Sequence, residues 1–509
     1  MNKIVPKSLA HVSQRQYHAN WYRAITLAER AALLKRHSLI QSILSPVDNE
    51  GARQRLHRWK EQVPFNKEDY FAQRLALDGL TEDDCLALLA ESPEALQARI
   101  SSPPSWLQVL INAFEALPSD FEWLFPQTED GLNAAAYLAT LRPLIKDSMM
   151  RIQVGLQALS QGNSQFPFDL AAIIPLLVQH LPARLLPGLF KTYVLELNVA
   201  RVEGRLQGET PQERFQYFLE QLSQPEGILS LLEEYSVLAR RLVETLEQWV
   251  TCSLELIERL CADWEEICMT FPQARAAGDL IEILPGQGDF HRRGRSVTIL
   301  TWSSGFRLVY KPRSMAIDVH FQELLSWLNA QGYHPAFRIC RVINRQIYGW
   351  TEFIQADPCT SKEEVERFYL RQGGYLALLY ALEASDFHAE NLIAAGEHPV
   401  LIDLEALFQP REDTLSSLKQ SNPAVKTINH SVLCVGLLPR RVWSNGQSGG
   451  IDVSGLGGQS GQFMPSPVAQ LTEIGTDRMK LNSERVPVPA SRHRPRLHGE
   501  DVDTLEYRD

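Results

Sequence analysis

Apolar residues recur every three to four positions through most of the first 270 residues, which predicts a segment built almost entirely from α-helices. Near its end Leu242, Leu246 and Trp249 follow helical spacing, with Glu and Arg between them, and predict one long amphipathic helix. Turn signals such as SSPPSW at 101–106 separate the helices. Because no repeat of fixed period is present, the pattern favours a helical docking or scaffold region over a solenoid.

From about residue 279 the pattern changes to β-branched and aromatic runs separated by Gly, Ser or Asn turns, which is typical of antiparallel strands. TWSSGF at 301–306 predicts a tight hairpin whose second strand ends at Lys311. The run that follows predicts a helix with Ser314 as its N-cap and Gly332 as its C-terminal signal. Hairpin, lysine, helix and further strands together predict a small α+β lobe.

Helical spacing returns from about 361 to 383 and is followed by SDFHAENLIAAGEHPVLIDLEALF at 385–408. This stretch predicts two short strands joined by a Gly-containing turn, with Asp403 at the end of the second strand. Further on, SNGQSGGIDVSGLGGQSGQ at 444–462 predicts a mobile loop. The whole pattern predicts an α+β protein with a helical first half.

Composition excludes several classes of protein. The net charge of -11 argues against a nucleic-acid binder that works through a basic surface, since such proteins concentrate Lys and Arg. The seven cysteines form no CxxC pair, which argues against a zinc knuckle or a redox dithiol and indicates a reducing cytosol. No signal peptide and no apolar run of about 20 residues is evident, so we expect a cytoplasmic protein without an integral membrane segment.

The spacing of polar residues in the 385–408 stretch indicates phosphoryl transfer. Asp386 and Asn391 are five positions apart, like the catalytic aspartate and metal-binding asparagine of the protein-kinase catalytic loop. In such a site one carboxylate orients the attacking hydroxyl, while an amide oxygen and a second carboxylate, here that of Asp403, bind magnesium against the nucleotide phosphates. Lys311, at the end of an earlier strand, has the chain position of the phosphate-binding lysine.

Each of these residues has a plain structural alternative. An isolated aspartate before a turn is usually a turn former, a lysine at a strand end is usually solvated, and His388 alone is more often a hydrogen-bonded loop histidine. Their order along the chain favours a kinase-like site. A Gly-rich GxGxxG loop is absent from the sequence, and DLE stands where a protein kinase has DFG, so an ordinary protein kinase is disfavoured.

Four motifs resemble the dehydratase domain of class II (LanM-type) lanthipeptide synthetases, in the order and approximate spacing of that family. They are GDFHRRGRSV (288–297), LVYKPRS (308–314), YGWTEFI (348–354) and the 385–408 stretch. The resemblance covers about residues 130–509 and implies a lipid-kinase-like, two-lobed fold. It also implies that ATP and Mg²⁺ are used to phosphorylate Ser and Thr of a ribosomally made precursor peptide with a leader. Elimination of the phosphate would then leave dehydroamino acids.

The resemblance also implies roles for individual residues. Lys311 would contact the ATP phosphates, Asp386 would act on the substrate hydroxyl, and His388 would assist it. Asn391 and Asp403 would hold magnesium.

Asp289 and His291 match family residues associated with phosphate elimination. Their alternative is a turn aspartate and a surface histidine beside Arg292, Arg293 and Arg295. The three arginines are also suited to a phosphorylated intermediate, since arginine makes bidentate phosphate contacts.

Several further residues have weaker assignments. Glu323, on the helix after Lys311, is either the ion-pair partner of that lysine or part of a solvated helix face. Glu352 is expected to face the nucleotide, and Tyr348 and Trp350 are expected to pack on one face of a strand.

The chain departs from the family pattern after Asp403. The family continues with an arginine and a threonine for elimination and then a cyclase domain with a zinc site, and about a hundred residues remain here. We therefore expect a C-terminally incomplete dehydratase without cyclase activity, whose ability to eliminate phosphate is open. A separate cyclase or a missing C-terminal part would complete it. The expected organisation is a helical region over 1–270 (dehydratase from about 130), a kinase-like N-lobe over 271–360 and a partial C-lobe over 361–509.

Two other classes stay open on sequence grounds. One is a kinase-like enzyme that acts on another hydroxyl substrate. The other is a catalytically inactive fragment that binds a leader peptide.

Overall fold

The structure is a computed structural model. It describes residues 18–37, 49–67, 69–116, 125, 134–162, 168–409, 427, 430–442, 451–457, 462–464, 466–487 and 492–504. Helices and antiparallel sheets are both present there, so the predicted α+β class is confirmed. The chain divides into two compact units, one of Met1–Gly155, Leu181–Thr251 and Ile474–Arg478, the other of Leu156–His180, Cys252–Glu473 and Met479–Asp509. The predicted domain boundaries stay predictions.

The described part of the first unit is helical, as its sequence periodicity predicts. In chain order the helices are α1 (Leu27–His37), α2 (Glu50–Lys60), α3 (Tyr70–Leu77), α4 (Glu82–Ala90), α5 (Pro93–Arg99), α6 (Ser105–Glu115), α7 (Ala134–Ala139), α8 (Arg142–Gly162), α9 (Leu170–Val178), α10 (Leu181–Val202), α11 (Pro211–Ser223), α12 (Pro225–Glu234) and α13 (Ser236–Thr270). Helix α9 belongs to the second unit, and α8 and α13 belong in part to each. The predicted long amphipathic helix is α13, with 35 residues.

Capping boxes define where two of these helices begin. Thr81 accepts a hydrogen bond from the Asp84 backbone N–H, and the Asp84 carboxylate accepts one from the Thr81 N–H. Thr210 and Glu213 repeat this arrangement at the start of α11, where Pro211 occupies the first helical position. Each box satisfies backbone donors that have no partner within the helix, so these starts are encoded locally.

One stretch, Ala172–Val202, is long and apolar enough to be a candidate membrane span by length and composition. A turn at residues 179 and 180 interrupts it, and 39% of its most apolar window is buried within the protein. A single stretch of this kind is weak evidence, because core helices of soluble proteins have the same composition.

The second unit contains a five-stranded antiparallel sheet. Its strands are β1 (Leu280–Pro285), β2 (Thr298–Trp302), β3 (Arg307–Lys311), β4 (Val342–Asn344) and β5 (Gly349–Glu352), in the order β1-β2-β3-β5-β4. The predicted hairpin at TWSSGF joins β2 to β3, and Gly305 has the positive φ of 86° that this turn requires. Helix α14 (Ala316–Ala330) follows β3, with Gly332 at φ 89° just after its end, as predicted.

The last turns of α13 contact this sheet through a buried carboxylate. Asp263 accepts hydrogen bonds from Trp350 Nε1 at 2.7 Å and Arg345 Nε at 2.8 Å. The Tyr310 ring lies 5.0 Å from that of Trp350 and 6.1 Å from that of Tyr348, between ring centroids. Tyr348 and Trp350 therefore pack on one face, as predicted.

Helix α15 (Lys362–Ala381) and the antiparallel hairpin of β6 (Leu392–Ala395) and β7 (His398–Leu401) form the next layer of the second unit. Ser361 caps α15 by accepting from the Glu364 N–H. A buried apolar cluster that includes Phe321, Phe368 and Phe387 connects α14, α15 and the loop before β6. The two strands and Gly-containing turn predicted from the sequence are confirmed.

The turn of the β6–β7 hairpin is attached to α15 by an ion-pair cluster. Arg371 donates to the Glu397 carbonyl at 2.8 Å and to Glu397 Oε2 at 2.9 Å, while its Nε donates to the Ala336 carbonyl at 2.7 Å. Arg367 also donates to Glu397. The hydrogen bond from Arg367, followed by that from Arg371, lowers the pKa of Glu397 to about 2.

The described residues of the last part of the chain form three short antiparallel strand pairs. The strands are β8 (Arg441–Val442), β9 (Ile451–Asp452), β10 (Val468–Thr472), β11 (Lys480–Glu484), β12 (Arg496–Leu497) and β13 (Glu500–Asp501), of which β8 pairs with β9, β10 with β11 and β12 with β13. The polar tail returns to the preceding layers, since Cys359 N–H donates to the Arg496 carbonyl at 2.7 Å and Ala394 N–H donates to the Arg492 carbonyl at 2.8 Å.

The predicted mobile loop at 444–462 falls largely outside the described residues. Residues 451–457 are described, and there the Ala389 N–H donates to the Val453 carbonyl at 2.9 Å and Gln372 donates to the Gly455 carbonyl. This part of the loop therefore lies against the segment that carries the predicted catalytic residues. Its mobility stays a prediction.

We predict that Glu397→Gln lowers the melting temperature at pH 7 by a few degrees, because it weakens the contact between the β6–β7 turn and α15. The pKa of Glu397 is depressed from 4.5 to about 2, so its ion-pair stabilisation is complete above pH 4.5 and is lost as the pH falls toward 2. Thermal melts from pH 7 to pH 3 should show a smaller acid-induced loss in the variant. Glu366→Gln, at an exposed position of the same helix, is the matched control, and an equal loss there would contradict the assignment.

Candidate functional site

Lys311 lies at the end of β3, opposite Gly349 of β5 in the sheet register. Its amine donates to the carbonyl of Ile402, the residue directly before Asp403, and lies 3.6 Å from Asp318 Oδ1. The side chain is 9% exposed, and this burial lowers the pKa of Lys311 below its usual value, although Asp318 opposes the shift. The predicted lysine and aspartate therefore meet at one place in the structure.

The residue that pairs with Lys311 is Asp318 rather than Glu323. Asp318 lies in the first turn of α14 and is buried, whereas the Glu323 side chain is 67% exposed and contacts His320 at 2.9 Å. The prediction of Glu323 as the partner is therefore wrong, and its alternative, a solvated helix face, is confirmed. Five residues advance a helix by well over one turn, which rotates Glu323 away from the side that faces the strand end.

Arg313 adds a second cation to this site. Its Nη1 donates to Asp318 Oδ2 at 2.7 Å and its Nη2 to Asp403 Oδ1 at 3.2 Å, while its Nε lies 3.7 Å from Glu405 Oε2. Asp318 thus compensates both Lys311 and Arg313. Arg313 connects the start of α14 with the segment after β7.

Asn391 and Asp403 flank the open end of the β6–β7 hairpin. The Ile402 N–H donates to the Asn391 carbonyl at 3.0 Å, which continues the strand pairing to this point. The Asn391 side chain donates through Nδ2 to the Asp386 carbonyl at 2.8 Å. Among the described residues none donates to Asn391 Oδ1, so this oxygen is available for a ligand.

The loop with Asp386 is fixed through its neighbour Phe387, which is buried. The Phe387 N–H donates to the Val435 carbonyl at 2.9 Å, and a Cβ added to Gly436 would lie 2.9 Å from the Phe387 nitrogen. Asp386 has a φ of 66°, an uncommon conformation for this residue type, and its side chain is 67% exposed. The backbone is thus held while the carboxylate stays accessible.

His388 lies beside the Asp386 carboxylate. Its Nδ1 accepts a hydrogen bond from the Glu390 N–H at 3.2 Å, so the neutral ring carries its proton on Nε2. That Nε2 lies 3.5 Å from Asp386 Oδ1. The geometry allows His388 Nε2–H to orient the exposed Asp386 carboxylate.

Backbone hydrogen bonds join this loop to the segment after β7. The Ser385 N–H donates to the Ala406 carbonyl at 3.1 Å, and the Phe408 N–H donates to the Leu382 carbonyl at 3.0 Å. Five predicted residues are therefore linked by direct contacts or by contacts of their immediate neighbours. They are Lys311, Asp386, His388, Asn391 and Asp403.

Asp289 and His291 lie apart from this group in the contact network. His291 forms a backbone bridge to Arg295, and the turn between them contains Arg292 and Arg293 at φ 39° and 67°. Arg295 pairs with Glu255 of α13 at 2.9 Å, so its charge is compensated within the fold.

Both predicted elimination residues are exposed. No described contact connects either of them with Asp386 or Asp403.

Glu352 has a structural role at the end of β5. Its two carboxylate oxygens accept hydrogen bonds from Arg338 Nη2 at 2.7 Å and from the Arg341 N–H at 2.8 Å. The expectation that Glu352 faces a nucleotide is not supported, because both of its oxygens are already used.

The amide oxygen of Asn391 and the carboxylate of Asp403 are of the types that can hold a magnesium ion. The described residues contain no group of three or more His, Cys, Asp or Glu side chains that could hold a metal ion by themselves. Asn391 Oδ1 and the Asp403 carboxylate supply two oxygens, and Mg²⁺ is commonly bound by one or two carboxylates together with substrate phosphates. These two residues by themselves would leave the other coordination positions of the ion to a ligand or to water.

Sequence reasoning did not identify Arg313 and Asp318 as members of the site. Arg313 is two residues after Lys311, and Asp318 is an acidic residue in the first turn of the next helix. A buried lysine needs a carboxylate close to the strand end, and that requirement was the available signal.

We predict that Asp318→Asn lowers the free energy of unfolding by roughly 2–4 kcal/mol, because it leaves two largely buried cations without their shared carboxylate. Urea unfolding of the variant and the wild-type chain would measure the change. Glu323→Gln removes an exposed carboxylate from the same helix and should change the free energy of unfolding by less than about 0.5 kcal/mol. Similar losses in both variants would contradict the assignment of Asp318.

Comparison with known proteins places this site within a recognised family. Residues 235–509, which include every predicted site residue, match the family model described as a domain of unknown function, DUF4135. Part of the chain is 28% identical over 261 residues to the lacticin 481/lactococcin biosynthesis protein LcnDR2 of Lactococcus lactis subsp. lactis. This alignment spans 49% of the chain and 28% of the relative's length. Since the matched domain occupies more than half of the chain, the protein belongs to the DUF4135 family.

Proposed function

We propose that this chain acts in lanthipeptide biosynthesis as a lipid-kinase-like, two-lobed enzyme that uses ATP and Mg²⁺ to phosphorylate Ser and Thr side chains of a precursor peptide. A subsequent elimination of the phosphate would give dehydroamino acids. Family membership and the similarity to a protein named for lacticin 481 biosynthesis support the pathway. The motifs at 288–297, 308–314, 348–354 and 385–408 support the reaction.

One observation carries the proposal: the Lys311 amine contacts the Ile402 carbonyl, so the lysine of the sheet lies next to the aspartate that follows the hairpin. The two residues are about ninety positions apart in the chain, and a kinase-like site needs both of them at the nucleotide phosphates. A purely structural lysine at a strand end would more often be solvated. Its burial against the residue before Asp403 favours a shared site.

Asp386 is the proposed proton acceptor in the phosphorylation step. The hydroxyl oxygen of the peptide Ser or Thr forms a bond to the γ-phosphorus, the bond from that phosphorus to the β–γ bridging oxygen breaks, and ADP leaves. The hydroxyl proton passes to the exposed Asp386 carboxylate, which His388 Nε2 orients. A magnesium ion held by Asn391 and Asp403 would neutralise charge on the phosphates.

Elimination removes the α-proton of the phosphorylated residue, forms the Cα–Cβ double bond and releases phosphate from Cβ. Phosphorylation favours this step because phosphate is a far better leaving group than hydroxide. Asp289 and His291 are the residues that we propose for phosphate elimination. Arg292 and Arg293, which are exposed on the same turn, have the chemistry to bind the leaving phosphate.

We expect a cytoplasmic protein that binds a leader-bearing precursor peptide and does not bind nucleic acid. Ring formation would be carried out by a cyclase, either a separate protein or a further part of the synthetase. A kinase-like enzyme acting on another hydroxyl and an inactive leader-peptide binder are distinct outcomes of the test that follows.

We predict that co-expression of the chain with a lanthipeptide precursor peptide yields peptide that has lost water, as measured by intact-mass spectrometry. Asp386→Asn should leave the peptide unmodified, because the proton acceptor is gone. The expected loss is at least a hundredfold in modified fraction. Glu323→Gln, at an exposed position away from the site, should retain activity.

Each mass outcome has a separate meaning. Gain of phosphate without loss of water would show kinase competence and contradict elimination by this chain. Binding of the leader without any mass change would favour the inactive binder. ADP formation from ATP with a different hydroxyl compound, and none with the peptide, would favour the alternative kinase.

A further inference from the structure

The two cations of the site, Lys311 and Arg313, differ in their exposure and in the groups that they contact. Lys311 is 9% exposed, and its amine is directed at the Ile402 carbonyl and at Asp318 in the interior. Arg313 is 19% exposed, and its guanidinium also contacts carboxylates near the surface. Arg313 is therefore the more accessible of the two positive charges.

The contacts of Arg313 fall into two groups. Its contact with Asp318 is short, at 2.7 Å, and the Asp318 side chain is 6% exposed. Its contacts with Asp403 and Glu405 are longer, at 3.2 and 3.7 Å, and these side chains are 39% and 51% exposed. Because ion pairs in contact with water are weak and buried ones resist separation, the two outer contacts can be exchanged while the inner one holds the side chain.

The charges of the site determine when an anion can bind. Lys311 and Arg313 supply two positive charges, and Asp318, Asp403 and Glu405 supply three negative charges. The cluster alone is therefore unfavourable for a triphosphate. A divalent cation at Asp403 would reverse the sign and would also compete with Arg313 for the same carboxylate.

We propose that Arg313 is the cation that binds the terminal phosphates of the nucleotide, and that it exchanges Asp403 for those phosphates when magnesium occupies the Asp403 carboxylate. Asp318 keeps the guanidinium in place during this exchange. Lys311 also fixes the backbone next to Asp403 through its bond to the Ile402 carbonyl. The inference rests on the proposed nucleotide site and names the residue in it that distinguishes ATP from AMP.

The test is calorimetric titration of the full-length chain with ATP and with AMP, each in the presence of magnesium. We expect Arg313→Gln to weaken ATP binding by roughly tenfold or more and to leave AMP binding unchanged, since charge-assisted hydrogen bonds to the terminal phosphates are lost. Arg313→Lys should lose less ATP affinity than Arg313→Gln, because lysine keeps the positive charge although it lacks the bidentate donors of the guanidinium.

Arg345→Gln is the matched control. Arg345 also pairs with a buried carboxylate, that of Asp263, at 2.8 Å, and that side chain is 5% exposed. Arg345→Gln therefore removes an arginine ion pair from the fold, as Arg313→Gln does, but at a residue that does not contact Lys311, Asp318 or Asp403. We expect wild-type affinity for both nucleotides in this variant.

A second measurement uses ATP in EDTA. Asp403→Asn removes one negative charge, so it should strengthen metal-free ATP binding several-fold, and this gain should disappear in the Arg313→Gln background. Absence of the gain would contradict the proposed exchange.

Two failures are distinguishable. If the wild-type chain does not bind ATP with magnesium, the proposed function is wrong and this inference falls with it. If the wild type binds ATP and Arg313→Gln binds it equally well, only the role of Arg313 is overturned. The same holds if Arg313→Gln loses as much affinity for AMP as for ATP, or if Arg345→Gln loses as much ATP affinity as Arg313→Gln.

Discussion

The second unit depends on a buried carboxylate that compensates two cations. Asp318 contacts Lys311 at 3.6 Å and Arg313 at 2.7 Å, and desolvation of three charges is tolerated only when each has a partner. The arrangement joins the end of β3, the start of α14 and the segment after β7. Its position therefore sets where Asp403 lies relative to the sheet, and any chemistry at that aspartate depends on it.

The rest of the site is held by backbone hydrogen bonds and by the buried side chain of Phe387. Phe387 anchors the loop while Asp386 and Asn391 are linked through the Asp386 carbonyl. This leaves the Asp386 carboxylate and Asn391 Oδ1 available, which is the arrangement expected of residues that meet a ligand. The predicted elimination residues, Asp289 and His291, lie on a separate turn that is attached to α13 through Arg295. The residues proposed for phosphorylation and those proposed for elimination are therefore held in place by different contacts.

Local signals predicted much of the second unit because they act over a few residues. The turn at TWSSGF, the glycine at 332 and the strand pair that precedes Asp403 all appear where the sequence indicates them. The start of α14 is less regular: Ser314 accepts from the Ala316 N–H at 3.3 Å, while the residue directly before the helix is Met315. The polar tail had no local signal, and its place is decided by backbone bonds to residues near 359 and 394.

The class of elements, the order of Lys311, Asp386, Asn391 and Asp403, and the family to which these motifs belong can all be predicted from the sequence, because periodicity, turn chemistry and motif spacing are properties of neighbouring residues. The folded chain was needed to find that Asp318 and not Glu323 faces Lys311, that Glu352 accepts from Arg338 and Arg341, and that Arg313 contacts Asp403. These contacts join residues up to about ninety positions apart or depend on which face of a helix is turned inward. Tertiary packing determines these long-range contacts and the orientation of the helix, and neither can be inferred from residue spacing along the chain.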